Sequence, residues 1–307
     1  MYNFILFLHL LIWLSAGIIY SKVSGWPFEL FTHWIVTWIV TAAILLGVAI
    51  GEKQWVYSIS ALILTVALSA KLLTGYAYDT AWSDAKPEHP VTLAQWNIYN
   101  GNDYVFRWIE SLKGVDVVVL NEVKPWVRDR IADNLPEYPY KLLPEGLAPD
   151  TVIISKLSLL NTSITPIEGS PRFILKAEIE EDGKRFVLLA AHTTSPSRPA
   201  RYARRVAELK AITAAVQAET LPVAVVGDLN ITPYSPDFKK LMQETQLALP
   251  AAPLALPVTW PSILALPGFG LPIDHMLSKG LAVYSRAAPD FLCCSDHRPV
   301  VTRFKIN

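Results

Sequence analysis

Apolar residues crowd into the first quarter of this chain, and that asymmetry limits its fold more than any other feature. Residues 4–20 and 34–50 contain no Asp, Glu, Lys or Arg, and residues 54–76 contain only Lys71. Each run approaches the roughly 17–25 residues that carry a helix across a bilayer core. Trp34, Trp38, Trp55, Tyr57, Tyr76 and Tyr78 stand toward the ends of the runs, where interfacial aromatics gather. The sequence therefore predicts an integral membrane protein with three transmembrane helices within residues 1–78. A cleaved signal peptide followed by a buried hairpin fits less well, because residues 1–3 are not basic and no Ala-x-Ala site follows.

Averaged over 307 residues, the chain is 52% hydrophobic and 18% charged, too apolar for one soluble domain and too polar for a wholly embedded protein. Lys plus Arg and Asp plus Glu both number 27, so no basic field gathers nucleic acid. Lys22 and Lys53 leave the positive-inside count nearly tied. An odd number of spans puts the two termini on opposite sides; a cytoplasmic N-terminus then makes the C-terminal domain periplasmic or otherwise extracytoplasmic. The adjacent pair Cys293 and Cys294 reads as two small hydrophobes, since neighbouring side chains on a strand point apart.

Residues 79–90 are polar and proline-bearing and read as a linker to a single domain at 91–307. Strand patterns are predicted at 91–98, 115–120, 151–155, 173–179, 185–192, 223–227, 272–277 and 299–304. Helical patterns fall at 103–113, 125–135 and 198–219. Mixed strands and helices of this number suit sheets covered by helices.

Polar residues recur where these strands end. Asn97, Glu122, His192, Asp228 with Asn230, Asp274 and Asp296 with His297 all follow apolar runs. Loops held at the edge of a rigid sheet are a usual place for a site. The residue types suit phosphate ester hydrolysis. Glu122 and Asp296 offer hard oxygen ligands to Mg²⁺, or to Mn²⁺ in its place. Asp228 is placed to orient or deprotonate water, and Asn97 and Asn230 are neutral donors for phosphate oxygens. His297, with Asp274 to fix its tautomer, and His192 are proton carriers or phosphate ligands.

The ordered set Trp-Asn-Ile at 96–98, Glu122, His192, Gly-Asp-Leu-Asn at 227–230, Thr-Trp-Pro at 259–261, Ile-Asp-His at 273–275 and Ser-Asp-His-Arg-Pro at 295–299 resembles the endonuclease/exonuclease/phosphatase family, the DNase I-like superfamily. The resemblance implies a four-layered α/β sandwich. It further implies Glu122 as principal metal ligand, Asp228 as water activator, Asn97 and Asn230 as phosphate binders, and Asp274 paired with His297. One departure is Asn121, where many relatives carry Gln. Asp103 reads either as a helix cap or as support for the metal, and His275 as structural.

Arg198, Arg201, Arg204 and Arg205 recur at helical spacing, either as a solvated basic face or as a surface for anionic headgroups or a pyrophosphate. Residues 247–272 form an apolar, proline-broken stretch, either a packed loop or a lip touching acyl chains. The leading expectation is a membrane-anchored, metal-dependent phosphoesterase acting on a lipid-linked phosphate ester or pyrophosphate. A membrane-tethered nuclease is the alternative, with nucleic acid not favoured by charge, and a non-catalytic scaffold is a third reading. No protein partner is implied.

Overall fold

The computed structural model describes the chain except residues 1, 22, 24, 77, 80, 85–87, 101–103, 112–113, 146–149, 251–254, 265, 267 and 290–293. Four helices come first: α1 (Tyr2–Ser21), α2 (Phe28–His33), α3 (Ile35–Gly51) and α4 (Trp55–Gly75). Ile12, Ala16, Ile19, Ala42, Leu45, Ala61, Leu64 and Leu68 pack between them. The opposite faces are apolar too. Phe7, Leu10 and Leu14 on α1, and Val56, Ile59, Ile63 and Val66 on α4, are exposed at helical spacing. Such an outer surface suits hydrocarbon better than water.

Three spanning helices expected from residues 4–20, 34–50 and 54–76 become two of spanning length. Phe4–Ser21 and Trp55–Gly75 are long and apolar enough to cross a membrane, whereas α3 is a shorter apolar helix of 17 residues. At 1.5 Å per residue it reaches about 26 Å, less than the ~30 Å hydrocarbon core. It begins only after Trp34, where α2 ends, and stops at the turn containing Glu52 and Lys53. Contacts of His9 with Tyr57, Trp13 with Ser60 and Tyr20 with Ala67 show that α1 and α4 run parallel.

The rest builds two sheets. Strands β1 (Val91–Asn97), β2 (Val117–Asn121), β3 (Tyr140–Leu142), β4 (Thr151–Ser155), β10 (Leu281–Ala287) and β11 (Val300–Ile306) form a six-stranded sheet in the order β10-β11-β1-β2-β4-β3. Strands β5 (Leu159–Pro166), β6 (Phe173–Glu181), β7 (Lys184–Ala191), β8 (Val223–Asp228) and β9 (Asp274–Lys279) form a five-stranded sheet in sequence order. Helices α5 (Tyr104–Ser111) and α6 (Pro125–Asn134) cover the first; α7 (Pro199–Gln217) and α8 (Pro236–Thr245) cover the second.

Side-chain alternation assigns each layer. On β1 and β2, Val91, Leu93, Val117 and Val119 face the other sheet, while Ala94, Trp96, Val118 and Leu120 face α5 and α6. On β7 and β8, Leu188, Ala190, Ala224 and Val226 face inward, and Leu189 and Val225 meet α7 and α8. This is the expected four-layered sandwich.

The segment expected as a linker is pinned to the domain. Leu249 N donates to Asp79 O, Ala81 N to Leu249 O and Ser83 N to Val283 O. Asp103 lies outside the described residues. Cys294 is disulfide-bonded, against the reading of two unpaired small hydrophobes.

Candidate active site

The inward-facing row of each central strand turns polar at the same end of the sandwich. On β1 the row Val91, Leu93 continues as Gln95 and Asn97; on β2, Val117 and Val119 lead to Asn121; on β8, Ala224 and Val226 lead to Asp228. Strand β9 starts at this end, which pairs Asp274 with Asp228 across the ladder. The alternation that fills the core thus delivers polar side chains into the gap between the sheets.

These buried groups bind one another. Gln95 Nε2 donates to Asn121 Oδ1 at 3.1 Å and to Asp274 Oδ1 at 2.9 Å, tying one sheet to the other. Asn121 Oδ1 also accepts from Asp228 N at 3.0 Å. Asn97 Nδ2 donates to Glu122 Oε1 at 3.1 Å and to Asp228 Oδ2 at 3.0 Å, so both protons of one amide hold two carboxylates. Close approach is needed here. A Cβ on Gly227 would lie 1.8 Å from Ala191 O, and its φ of +146° disfavours any side chain.

Two imidazoles face one carboxylate. His192 Nε2 and His297 Nε2 each lie 3.7 Å from Asp228 Oδ2. His297 Nδ1 donates to Asp274 Oδ2 at 2.8 Å, and His192 Nδ1 donates to Asp150 Oδ2 at 2.8 Å. Asp150 is also ion-paired with Arg172. The environments push the two rings apart. Burial would strip the proton from His297, but Asp274 and Asp228 outweigh it and raise its pKa to about 10. Burial, reinforced by Arg172, lowers His192 to about 4. Burial also pushes the Asp228 carboxyl up. A cationic ring, a neutral ring and a buried carboxyl therefore meet at one point.

The pocket above them has a volume of about 390 Å³ and is lined by Glu122, His192, Asp228, Asn230, Asp296 and His297, six of the eight expected residues. Asn97 and Asp274 are fully buried beneath, the first bonded to Glu122 and Asp228, the second to His297. Asn230 Nδ2 donates to Thr193 O at 2.9 Å. Glu122 and Asn230 have φ of 59° and 47°, sparsely populated values that persist where surrounding bonds enforce them. Glu122 Oε2 accepts from Asn100 N at 3.0 Å.

The donors suit a hard divalent cation. Asp296 Oδ2 accepts from Trp260 Nε1 at 3.0 Å, but its Oδ1 is buried with no hydrogen-bond partner among the described residues. An orphaned carboxylate oxygen beside Glu122 in the same pocket is what a cation would satisfy. Asp228, Asp274 and His297 also bring ligand atoms within 4.8 Å of one another. The hydrogen bond between His297 and Asp274 already uses two of those groups, so this trio reads better as a proton-bearing array than as a cation site.

Sequence reasoning missed Asp150, Arg172 and Gln95, which gain their roles only when distant strands meet. His275 faces away, its Nε2 2.7 Å from Ile231 O and its ring against Phe238. The basic face of α7 is split: Arg201 lines the pocket and Arg205 is fully buried.

A family model described as "Endonuclease/Exonuclease/phosphatase family" matches residues 94–297. No curated protein matches the chain. Among solved structures, an endonuclease/exonuclease/phosphatase from Bacteroides vulgatus is 18% identical at a TM-score of 0.59, covering 72% of this chain and 100% of its own. The D. rerio TDP2 complexed with single-strand DNA product is 16% identical, TM-score 0.59, covering 71% and 100%. The human Nocturnin catalytic domain with bound sulfate is 18% identical, TM-score 0.53, covering 73% and 97%. Identities this low show a shared fold.

Proposed function

This chain belongs to the endonuclease/exonuclease/phosphatase family, whose members are metal-dependent phosphoester hydrolases, and we propose that it cleaves a lipid-linked phosphate ester or pyrophosphate at a membrane surface. The observation that carries the reading is the convergence of His192 and His297 on Asp228 in a pocket shared with Glu122 and Asp296.

Glu122 and Asp296 would hold the divalent cation, Mg²⁺ or Mn²⁺, which when bound supplies Lewis-acid polarisation of a phosphoryl oxygen. Asp228, raised by burial, takes a proton from the attacking water or orients it. His297, kept cationic by Asp274, faces the charge that grows on the phosphoryl oxygens. His192 is neutral with Nδ1–H committed to Asp150, so its Nε2 lone pair is left to accept a hydrogen bond in the pocket. Asn97 sets the spacing of Glu122 and Asp228, and Asn230 offers an amide at the pocket wall.

The lipid-linked substrate is supported by the anchor. Helices α1 and α4 are long and apolar enough to cross a membrane, and α2 between them reaches the pocket through Leu30 and His33. Because α1 and α4 run parallel, a cytoplasmic N-terminus places the domain in the periplasm or outside the cell. Protease digestion of intact cells that left the domain uncut would reverse that orientation.

The substrate test is a panel with Mg²⁺: a lipid pyrophosphate, a phosphodiester lipid and plasmid DNA, with products of each followed separately. Turnover of a lipid supports the reading; turnover of DNA alone makes the protein a tethered nuclease.

A further inference from the structure

The pocket is not built by the catalytic domain alone. Leu30 and Trp34, which flank His33 on the anchor, line it together with Trp260, Leu271 and Ile273 of the domain. These five side chains carry no charge; Leu30, Leu271 and Ile273 offer a phosphate nothing, and the Trp260 indole N–H is committed to Asp296. A site that handled only the head group would gain nothing from an apolar wall contributed by the membrane segment.

The location of that wall matters. Trp34 immediately precedes α3, the end of the bundle nearest the domain. The loop that follows Trp260 lies against the same end. A Cβ on Gly268 would fall 2.8 Å from Val40 Cγ2 and 3.7 Å from Val36 O. Val36 and Val40 lie within the first two turns of α3, so Gly268 sits no more than about 8 Å along the helix axis. That matches the depth of roughly 5–10 Å at which interfacial segments bury their apolar faces. On this loop Ile263 is 81% exposed, Leu266 62% and Phe269 50%. The stretch at 247–272, read as either a packed loop or a lip, is divided: Leu247, Leu249, Leu256 and Val258 are buried, whereas Ile263, Leu264, Leu266 and Phe269 are exposed.

We propose that Leu30, Trp34, Trp260, Leu271 and Ile273 form a subsite for the first segment of a lipid chain attached to the phosphate, with the exposed Ile263, Leu264, Leu266 and Phe269 seated in the membrane interface beside its mouth. This rests on the phosphoesterase reading for the head group, while the tail subsite itself is a binding claim. The anchor thereby determines specificity as well as location.

Two measurements on the full chain in lipid nanodiscs test it. In the first, Glu122→Ala protein is photolabelled with a long-chain alkyl phosphate bearing a diazirine near the head group. Labels at residues 28–34 and 260–273 that excess unlabelled octadecyl phosphate displaces are expected. Labels confined to the outer faces of α1, α3 and α4 would overturn the subsite. In the second, kcat/KM is compared for octadecyl phosphate and butyl phosphate. Trp34→Ala and Leu30→Ala are expected to lower the long-chain value about tenfold more than the short-chain value, since each buried methylene adds binding energy. Equal losses on both substrates would assign these residues a structural role and remove the proposal. Displaceable labelling without turnover of either phosphate, or of any lipid in the substrate panel, by the unmodified protein would leave the subsite standing and defeat the lipid-phosphoesterase reading.

Discussion

Arg205 Nη2 lies 2.9 Å from Glu29 Oε2, and both side chains are completely buried where α2 meets α7. Around them, Ser235 Oγ donates to Glu29 Oε1, His33 Nε2 approaches the same oxygen at 2.9 Å, and Arg205 Nη1 donates to Asn230 O at 2.8 Å. Thr232 N donates to His33 Nδ1 at 3.2 Å. The N-terminal helices and the candidate site thus share one polar cluster, with Asn230 as the bridge.

Glu29→Ala or Arg205→Ala should weaken docking of α2 by about 3 kcal/mol, because either change takes the closest opposite charge from a fully buried group. Arg205 would keep only the Asp237 carboxylate at 3.5 Å, and Glu29 only His33 and Ser235. Limited proteolysis in detergent should then cut between α1 and α3, and the double variant should be less damaging than the sum of the singles. Additive losses would show that the pair is not coupled.

Acid should loosen the same contact. Burial alone would raise the Glu29 carboxyl, but His33, Arg205 and Ser235 together bring it from 4.5 down to about 2. A depressed carboxyl stabilises the folded state fully above its unfolded pKa, and that stability is lost as pH falls from about 4.5 toward 2. The whole effect is on the order of 3 kcal/mol. Thermal unfolding of Glu29→Gln should lack this slope, and an unchanged slope would place the acid sensitivity elsewhere.

Gly227→Ala should destabilise the domain by about 3 kcal/mol, through the clash with Ala191 O and the strain of a positive φ. The melting temperature measures it. Full stability would mean that β7 and β8 can separate at this point.

Asp274→Asn should lower kcat by about 10²–10⁴-fold with a smaller change in KM, since the amide no longer holds His297 cationic and oriented. A proportionate rise in KM instead would make Asp274 a binding determinant.

Much of this was readable before folding. The central strands announce themselves as apolar runs because both faces are buried, and their polar ends gave Asn97, Glu122, His192, Asp228 and Asp274 directly. The missed strands β3, β5 and β10 all lie at sheet edges, where weaker burial leaves little pattern: in β5, residues 161–166 are all exposed. Asp150 and Gln95 carry no local signal, because their partners are 42 and 179 positions away. Arg205 reads as part of a solvated or anion-binding basic face, since nothing near it in sequence reveals Glu29.

Divalent-cation dependence tests the central claim most directly. Hydrolysis of the best substrate from the panel would be followed with Mg²⁺, with Mn²⁺ and with chelator, for the unmodified chain, Glu122→Ala and Asp296→Ala. The account predicts turnover that needs the cation and falls at least about 10³-fold in Glu122→Ala, with the melting temperature of the domain little changed. Turnover that survives chelation, or that Glu122→Ala retains, would contradict it.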